Sequence, residues 1–264
     1  MRVYLAGIGI TAAGLENWQA AQAILAGQQP YIAKPCLKAA QILSATERRR
    51  SSEAVRIAVT VAEQALLMAG CQGQAVRTVF TSADADSVNT NQICITLATQ
   101  PNEVSPTRFH NCVHNAAAGY WTIASDCHAP SVSITANQMS FACGLLEAST
   151  QALVEQQPVL LVGFDVVMPF PLHAHQPTTQ PLGIALLLTP EATAHSVAAL
   201  DVSLLPHTTH ALPALPLPAW AETWQPHPIL SGLALLYACV QKHPNVYLAY
   251  QAQQTLQIDL QCLI

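Results

Sequence analysis

Apolar residues along the chain gather into short runs whose spacing alternates between compact blocks and a helical period. Val3 to Ile10 is a compact block rich in β-branched residues that closes on Gly and Ala, and it predicts a first strand and turn. Glu16 to Ala26 shows helical spacing and stops at Gly27. A second helix is predicted from Thr46 and Glu47 through the arginine run, Glu53, Val55, Ile57, Val61, Leu66 and Leu67 to a stop at Gly70. Val76 to Ser82 reads as a strand and Ser87 to Ala98 is ambiguous. Ser105 to Ala124 predicts a helix of small residues, suited to close approach of two backbones.

The clearest unit follows. SVSITA from Ser131 reads as a strand of the buried type, and Asn137 with Gln138 forms a sharp corner. Met139 to Gln156 is then an amphipathic helix leading to a strand, Val159 to Val166, so the segment predicts a β-turn-α-β unit. Gly183 to Leu188 and Val197 to Leu204 predict two more strands. Six prolines between Pro206 and Pro228 disfavour regular structure and mark a connector, in which His207, Thr208, Thr209 and His210 are expected to face solvent. A helix near Ile229 to Gln241 and a hairpin, Asn245 to Tyr250 with Thr255 to Leu263, close the chain. The expected division is 1–205, a connector 206–228, and a helix with strands in 229–264 that packs on the same domain.

Composition adds exclusions. The 264 residues suffice to bury a sizeable core. They are 51% hydrophobic and 9% charged, against a usual charged share of about 25%, so charge-driven disorder is excluded. A surface so short of charge favours a face covered by a partner. Net charge is −5 and no basic run exceeds Arg48, Arg49 and Arg50, which argues against nucleic acid as a partner. Eight cysteines lack any C-x-x-C pair and sit mostly in apolar runs, as reduced thiols of a cytoplasmic protein would. The opening MRVYLAGIGITAAGLE reads as strand and turn, not as a secretory leader. No membrane span is expected, because prolines and amides interrupt both long uncharged stretches, Cys127 to Leu146 and Val166 to Pro190.

Three places could carry chemistry. A strand that breaks sharply into a helix thrusts its corner side chain into open space beside free helix amides, where enzymes place nucleophiles. Here the corner residue is Gln138, whose carboxamide hydrogen-bonds but cannot form an acyl-enzyme. An ordinary strand-helix turn and a displaced active-site corner both fit. Gly7, Gly9 and Ala12 imitate a dinucleotide fingerprint, yet no acidic residue lies between Glu16 and Glu47 to hold a ribose, so a tight glycine turn is the better reading. His110, Cys112 and His114 alternate along the chain, but without a further convergent pair they read as packed or interface-bonded side chains, and no metal or cofactor is expected. Cys143, five positions past the corner, is expected as a buried thiol.

The stretch SPTRFHNCVHNAAAGYWTIASDCHAPSVSITANQMSFACGLLEASTQALVEQQPVLLVGFD resembles the β-ketoacyl synthase, or thiolase-fold condensing-enzyme, family. Asn115, Ala118, Gly119, Pro130, Ser131, Ser133 and Ile134 fall in the family's pattern without a gap, and its catalytic cysteine lands on Gln138. The likeness covers roughly residues 1 to 205, and nothing after Pro206 matches the family's two histidine motifs. Glutamine at the corner is similar to the chain-length-factor subunits of bacterial iterative condensing enzymes. SPTRFHNCVHNAAAGYW resembles the short branch found with aryl polyene pathways.

The resemblance implies a truncated thiolase-like α/β layered fold: one βα half with a mixed sheet, plus a short C-terminal remnant. It implies a non-catalytic partner of a full-length catalytic ketosynthase, shaping that subunit's acyl tunnel and so meeting acyl carrier protein and the growing chain only indirectly. Arg108, Phe109, His110, Cys112, Val113, His114 and Asn115 are the implied tunnel and dimer-seam residues, with Phe109 and Val113 as apolar end-wall candidates. Two alternatives are a malonyl-decarboxylating priming subunit using the Gln138 amide, and a scaffold that stabilises a ketosynthase without shaping its product.

Overall fold

The computed structural model describes residues 1–35, 40–174, 176–206, 213–251 and 254–263. His207, Thr208, Thr209, His210 and Cys36 lie outside them. In chain order the elements are β1 (Arg2–Ala12), α1 (Trp18–Leu25), α2 (Ala45–Arg50), α3 (Glu53–Met68), β2 (Arg77–Thr81) and α4 (Ser87–Thr99). Next come α5 (Pro106–Asn111), α6 (Ala116–Ser125), β3 (Ser131–Ile134), α7 (Ser140–Glu155), β4 (Val159–Asp165), β5 (Leu182–Thr189) and β6 (Ala198–Leu205). A short helix α8 (Ala219–Glu222), then α9 (Leu230–Gln241), β7 (Asn245–Ala249) and β8 (Thr255–Cys262), completes the order.

The described strands form one mixed sheet in the order β3-β2-β4-β5-β1-β6-β8-β7. β2 pairs in parallel with β3 and β4, and β5 runs antiparallel to both β4 and β1. The C-terminal strands continue the sheet beyond β1 through antiparallel pairing of β6 with β1, β8 with β6, and β7 with β8. This is the expected layered α/β fold, one βα half extended by a short C-terminal remnant. Alternation along the strands sends Ile8, Ile10, Leu161, Ile184 and Leu186 to a core under α7 and α9, and Phe80, Leu160, Val162, Ala185 and Leu187 to a core under α3 and α6.

Four expectations are corrected. The helix predicted from Thr46 to Gly70 breaks at Ser51, which is extended at ψ 141°, and restarts at Ser52, whose hydroxyl accepts the Val55 amide (3.3 Å). Serine caps here outcompete a continuous helix. The predicted helix from Ser105 to Ala124 is likewise two helices, parted at 112–115. SVSITA is not a fully buried strand: β3 stands at the edge of the sheet and is only partly buried along most of its length. Gly7 and Gly9 make no turn, because they lie inside β1, and a Cβ at either would sit 2.1 Å or less from a backbone oxygen of α3. They let α3 press onto the sheet, while the turn glycine is Gly14, at φ +76°. The ambiguous Ser87 stretch is helical, with Asp86 accepting the Asn89 amide as its cap (3.0 Å).

Candidate functional site: the corner and the seam

The corner is built by β3 ending against a short 3-10 turn, Asn137–Met139, from which α7 departs. Asn137 takes the left-handed conformation at φ 54°, which Asn tolerates better than most residues. Ser140 locks the bend: its Oγ donates to the Asn137 carbonyl (2.7 Å) and accepts the Ala136 amide (3.0 Å). One residue further, Phe141 is fully buried against Gly163 of β4 and Gly232 of α9, where a Cβ would meet its ring at 3.0 and 2.6 Å. The helix start is therefore rigid, and Gln138 is left exposed on the turn.

Beside the corner lies a cleft of about 500 Å³ lined by Asp84, Thr135, Asn137, Met168, Leu172 and Gln176 among others. Gln176 Nε2 donates to Asp84, whose carboxyl is nevertheless raised above its ordinary range because burial dominates. The polar lining offers hydrogen-bonding groups, and no cysteine is among the residues that line the cleft. Cys143 is buried as expected, its thiol pushed up by burial and accepting from Gln251 Nε2 at 3.8 Å, so it is not an exposed nucleophile.

The structure gathers the seam residues on one short stretch near the corner. Arg108, Phe109 and His110 project from α5 into solvent, with Phe109 62% exposed. The His110 ring meets the edge of Tyr120 at 5.9 Å. Cys112 is half-buried and its Sγ donates to the Phe109 carbonyl (3.1 Å). Val113 is 45% exposed, and Asn115 is exposed at the start of α6. His114 turns inward, and its Nε2 donates to the Ser82 carbonyl (3.2 Å). His110 and His114 thus have separate environments. Among the described residues no three His, Cys, Asp or Glu side chains converge as metal ligands, and no helix is long and apolar enough to cross a membrane.

Around this stretch the surface is apolar to an unusual degree. Val88, Ile95 and Leu97 on α4, Ile123 on α6, and Val167 and Phe170 after β4 are all more than 40% exposed, beside Phe109 and Val113.

Two buried polar residues hold the region, Asn111 of the expected seam segment and Asp165, which sequence reasoning passed over. Asn111 donates from Nδ2 to the Arg50 carbonyl (2.8 Å) and ties α5 to α2. Asp165, 1% exposed, accepts from Ser82 Oγ (2.7 Å), the Ala83 amide (3.0 Å) and the Asp84 amide (3.2 Å). Burial nevertheless pushes its carboxyl up to about 7. The signal for it was present, since an acidic residue closes an otherwise apolar strand in Val159–Asp165.

No curated protein matches the chain. Among solved structures it is similar to a chain of a ketosynthase in complex with its chain length factor, ApeO and ApeC from Xenorhabdus doucetiae, at 23% identity and TM-score 0.74, over 98% of this chain and 99% of that one. It is also similar to a chain of the ishigamide ketosynthase/chain length factor, at 12% identity and TM-score 0.73, over 100% of both chains. A β-ketoacyl synthase from Burkholderia phymatum STM815 matches at 14% identity and TM-score 0.60, over 88% of this chain and 70% of that one. At these identities the likenesses establish the fold. Residues 16–254 match the family model for the β-ketoacyl synthase N-terminal domain, and the chain belongs to the β-ketoacyl synthase family.

Proposed function

We propose that the chain is a non-catalytic chain-length-factor subunit of a heterodimeric β-ketoacyl-ACP synthase, shaping the acyl tunnel of an active partner in aryl polyene or related biosynthesis. The observation that carries the reading is the exposed Gln138 on the sharp strand-to-helix corner, where the family resemblance would put a catalytic cysteine. Acyl transfer needs a thiolate or comparable nucleophile and a base to activate it, and a carboxamide is neither. The active partner then supplies the cysteine and histidines, and the acyl chain grows on that subunit.

Three features support a partner on this face. The apolar side chains of α4, α5 and α6 are exposed beside the corner. Among the described residues β3 pairs only with β2, so its other edge is open. The full-length likenesses are to chains from ketosynthase/chain length factor complexes. On this reading the exposed Phe109 and Val113 are the end wall of the neighbour's pocket, where their bulk excludes further two-carbon units. Overfilling a packed cavity costs about 1–3 kcal/mol, enough to bias termination.

The test is chemical. Gln138→Cys in the isolated chain is expected to yield no condensation, whereas removing the partner's nucleophile abolishes all of it. Turnover by the Gln138→Cys chain without a partner, with an acyl adduct on the introduced thiol, would refute the non-catalytic reading. In analytical ultracentrifugation the chain is expected to self-associate alone and to form a 1:1 complex with a full-length ketosynthase.

A further inference from the structure

The turn 82–86 is where the corner, the seam and α4 meet. Its Ser82 amide donates to Ile134 of β3 (3.3 Å), and Thr135 Oγ1 from the corner donates to the Ala83 carbonyl (3.0 Å). His114, between α5 and α6, donates to the Ser82 carbonyl. Gln176, after β4, donates to Asp84, and Asp86 caps α4 through the Asn89 amide (3.0 Å) and Asn89 Nδ2 (2.8 Å). Each of these contacts requires the turn to keep one shape.

That shape is not intrinsic to its residues. Ala85 sits at φ 51°, a left-handed conformation that a non-glycine residue adopts only when its surroundings hold it there. What gathers the turn lies beneath it. Asp165 receives Ser82 Oγ and the Ala83 and Asp84 amides, while Ser82 Oγ in turn accepts the Ala85 amide (2.7 Å). Successive N–H groups are thus folded around one buried carboxyl, the internal counterpart of an anion held in a backbone nest.

We propose that Asp165 is a positioning residue, whose buried carboxyl group organises the 82–86 turn and thereby holds α4, the corner and the α5–α6 junction as one rigid surface. The claim that the turn is held stands on its own geometry; the consequence for product length rests on the reading of this face as the partner's tunnel wall. Asp84, Asp86 and His114 are the other titratable groups at the turn, and none of them receives, as Asp165 does, the Ser82 hydroxyl and the two amides that follow it.

The test is amide hydrogen exchange in the purified 1:1 complex and in the chain alone, with Asp165→Asn as the near-isosteric variant. Its carboxamide presents a donor toward the Ala83 or Asp84 amide, so exchange at 83–85 and in the first turn of α4 is expected to accelerate by about tenfold or more. Ser82→Ala, which keeps the carboxyl but removes the hydroxyl relay, should give a smaller change in the same peptides. Val246→Ala, buried in β7 at the other end of the sheet, serves as a control matched in Tm and should leave these peptides unchanged. Asp165→Asn indistinguishable from that control would overturn the proposal, and so would acceleration confined to the turn with α4 unmoved. Product length reports separately. If Phe109→Ala and Val113→Ala leave it unaltered, the tunnel reading fails while exchange still decides the role of Asp165. If they lengthen the product and Asp165→Asn does not change its distribution, the positioning role fails alone.

Discussion

Two ends of one sheet are finished in opposite ways. At the β7–β8 end, α9 buries Leu230, Gly232, Leu233, Ala234, Leu235, Leu236 and Ala238, and it seals the core under α7. At the β3 end, α4 is a longer helix that buries only Ser87 and Ile93 and leaves Val88, Ile95 and Leu97 in solvent. α9 is almost wholly apolar, whereas α4 mixes its apolar residues with Ser, Asn, Gln and Thr, yet Val88, Ile95 and Leu97 among them stay uncovered. What differs is whether the chain itself supplies the cover. The first helix is covered by the chain itself, and the second keeps the apolar exposure of a surface completed by something else.

The sharpest way to break this comparison is to remove one aromatic that the chain covers itself and one that it leaves exposed. Phe141→Ala empties the socket between β4 and α9, and it is expected to cost about 3–5 kcal/mol in denaturant unfolding. Phe109→Ala, 62% exposed, should change the stability of the isolated chain by no more than about 0.5 kcal/mol. Similar losses at both sites would mean that the seam is part of the chain's own core.

The interior also carries two buried titrating groups whose shifts have opposite sign. Asp165 is held up to about 7 by burial, so the folded state keeps a proton that the unfolded chain loses near 3.8, and its contribution to stability falls as pH rises through that window. His227, which bonds the chain just before β5, is buried and pushed down to about 4. It is neutral, with Nδ1 accepting the Ile229 amide (3.1 Å) and Nε2 donating to the Gln180 carbonyl (3.2 Å). Its contribution is complete above its ordinary 6.5 and is lost as pH falls toward 4. Between about pH 4 and 6.5 the slopes oppose each other, each at most about 1.4 kcal/mol per pH unit. These two groups together should therefore leave stability nearly flat there. Asp165→Asn should tilt it upward with pH and His227→Asn downward, as read by urea midpoints. An unchanged profile in both variants would contradict the assignment.

The smallest effect sharpens the comparison most finely. Gly232 and Gly119 both lie inside helices, but a Cβ at Gly232 meets the Phe141 ring at 2.6 Å, whereas one at Gly119 meets nothing within 4 Å. Glycine inside a helix costs about 0.8–1 kcal/mol relative to alanine, and nothing in the chain offsets that cost at 119. Gly119→Ala should stabilise the isolated chain by roughly that amount in thermal unfolding, yet weaken its complex with a ketosynthase by isothermal titration if the partner's backbone lies on α6. Stabilisation of both states would place the partner elsewhere.

Much of the fold was legible because periodicity and strand chemistry are local. The strand-corner-helix unit, the paired β7 and β8, and most strand positions followed from such patterns. What escaped was decided by contacts distant in sequence. The helix from Ser105 divides where His114 leaves it to reach Ser82, 32 residues away. Gly7 and Gly9 looked like turn glycines because the helix pressing on them begins at Glu53. The proline-rich stretch, read as a connector, carries Ala221, Trp224 and His227 into the interior, with Trp220 stacked on Tyr31 at 4.1 Å. At the site, the corner and seam were visible as residue types, but the carboxyl that organises them was not, since its donors come from Ser82, Ala83 and Asp84.

The central claim is that this chain shapes a product it does not make. Its most direct measurement is the product-length distribution, by mass spectrometry, of the chain reconstituted with its catalytic ketosynthase, carrier protein and extender, comparing Phe109→Ala, Val113→Ala, Arg108→Ala and His114→Ala with the parent. The expected result is a shift to products longer by one or more two-carbon units for Phe109→Ala or Val113→Ala. If all four variants altered only yield and complex stability, with the distribution unmoved, the tunnel role would be contradicted and the chain would be a scaffold.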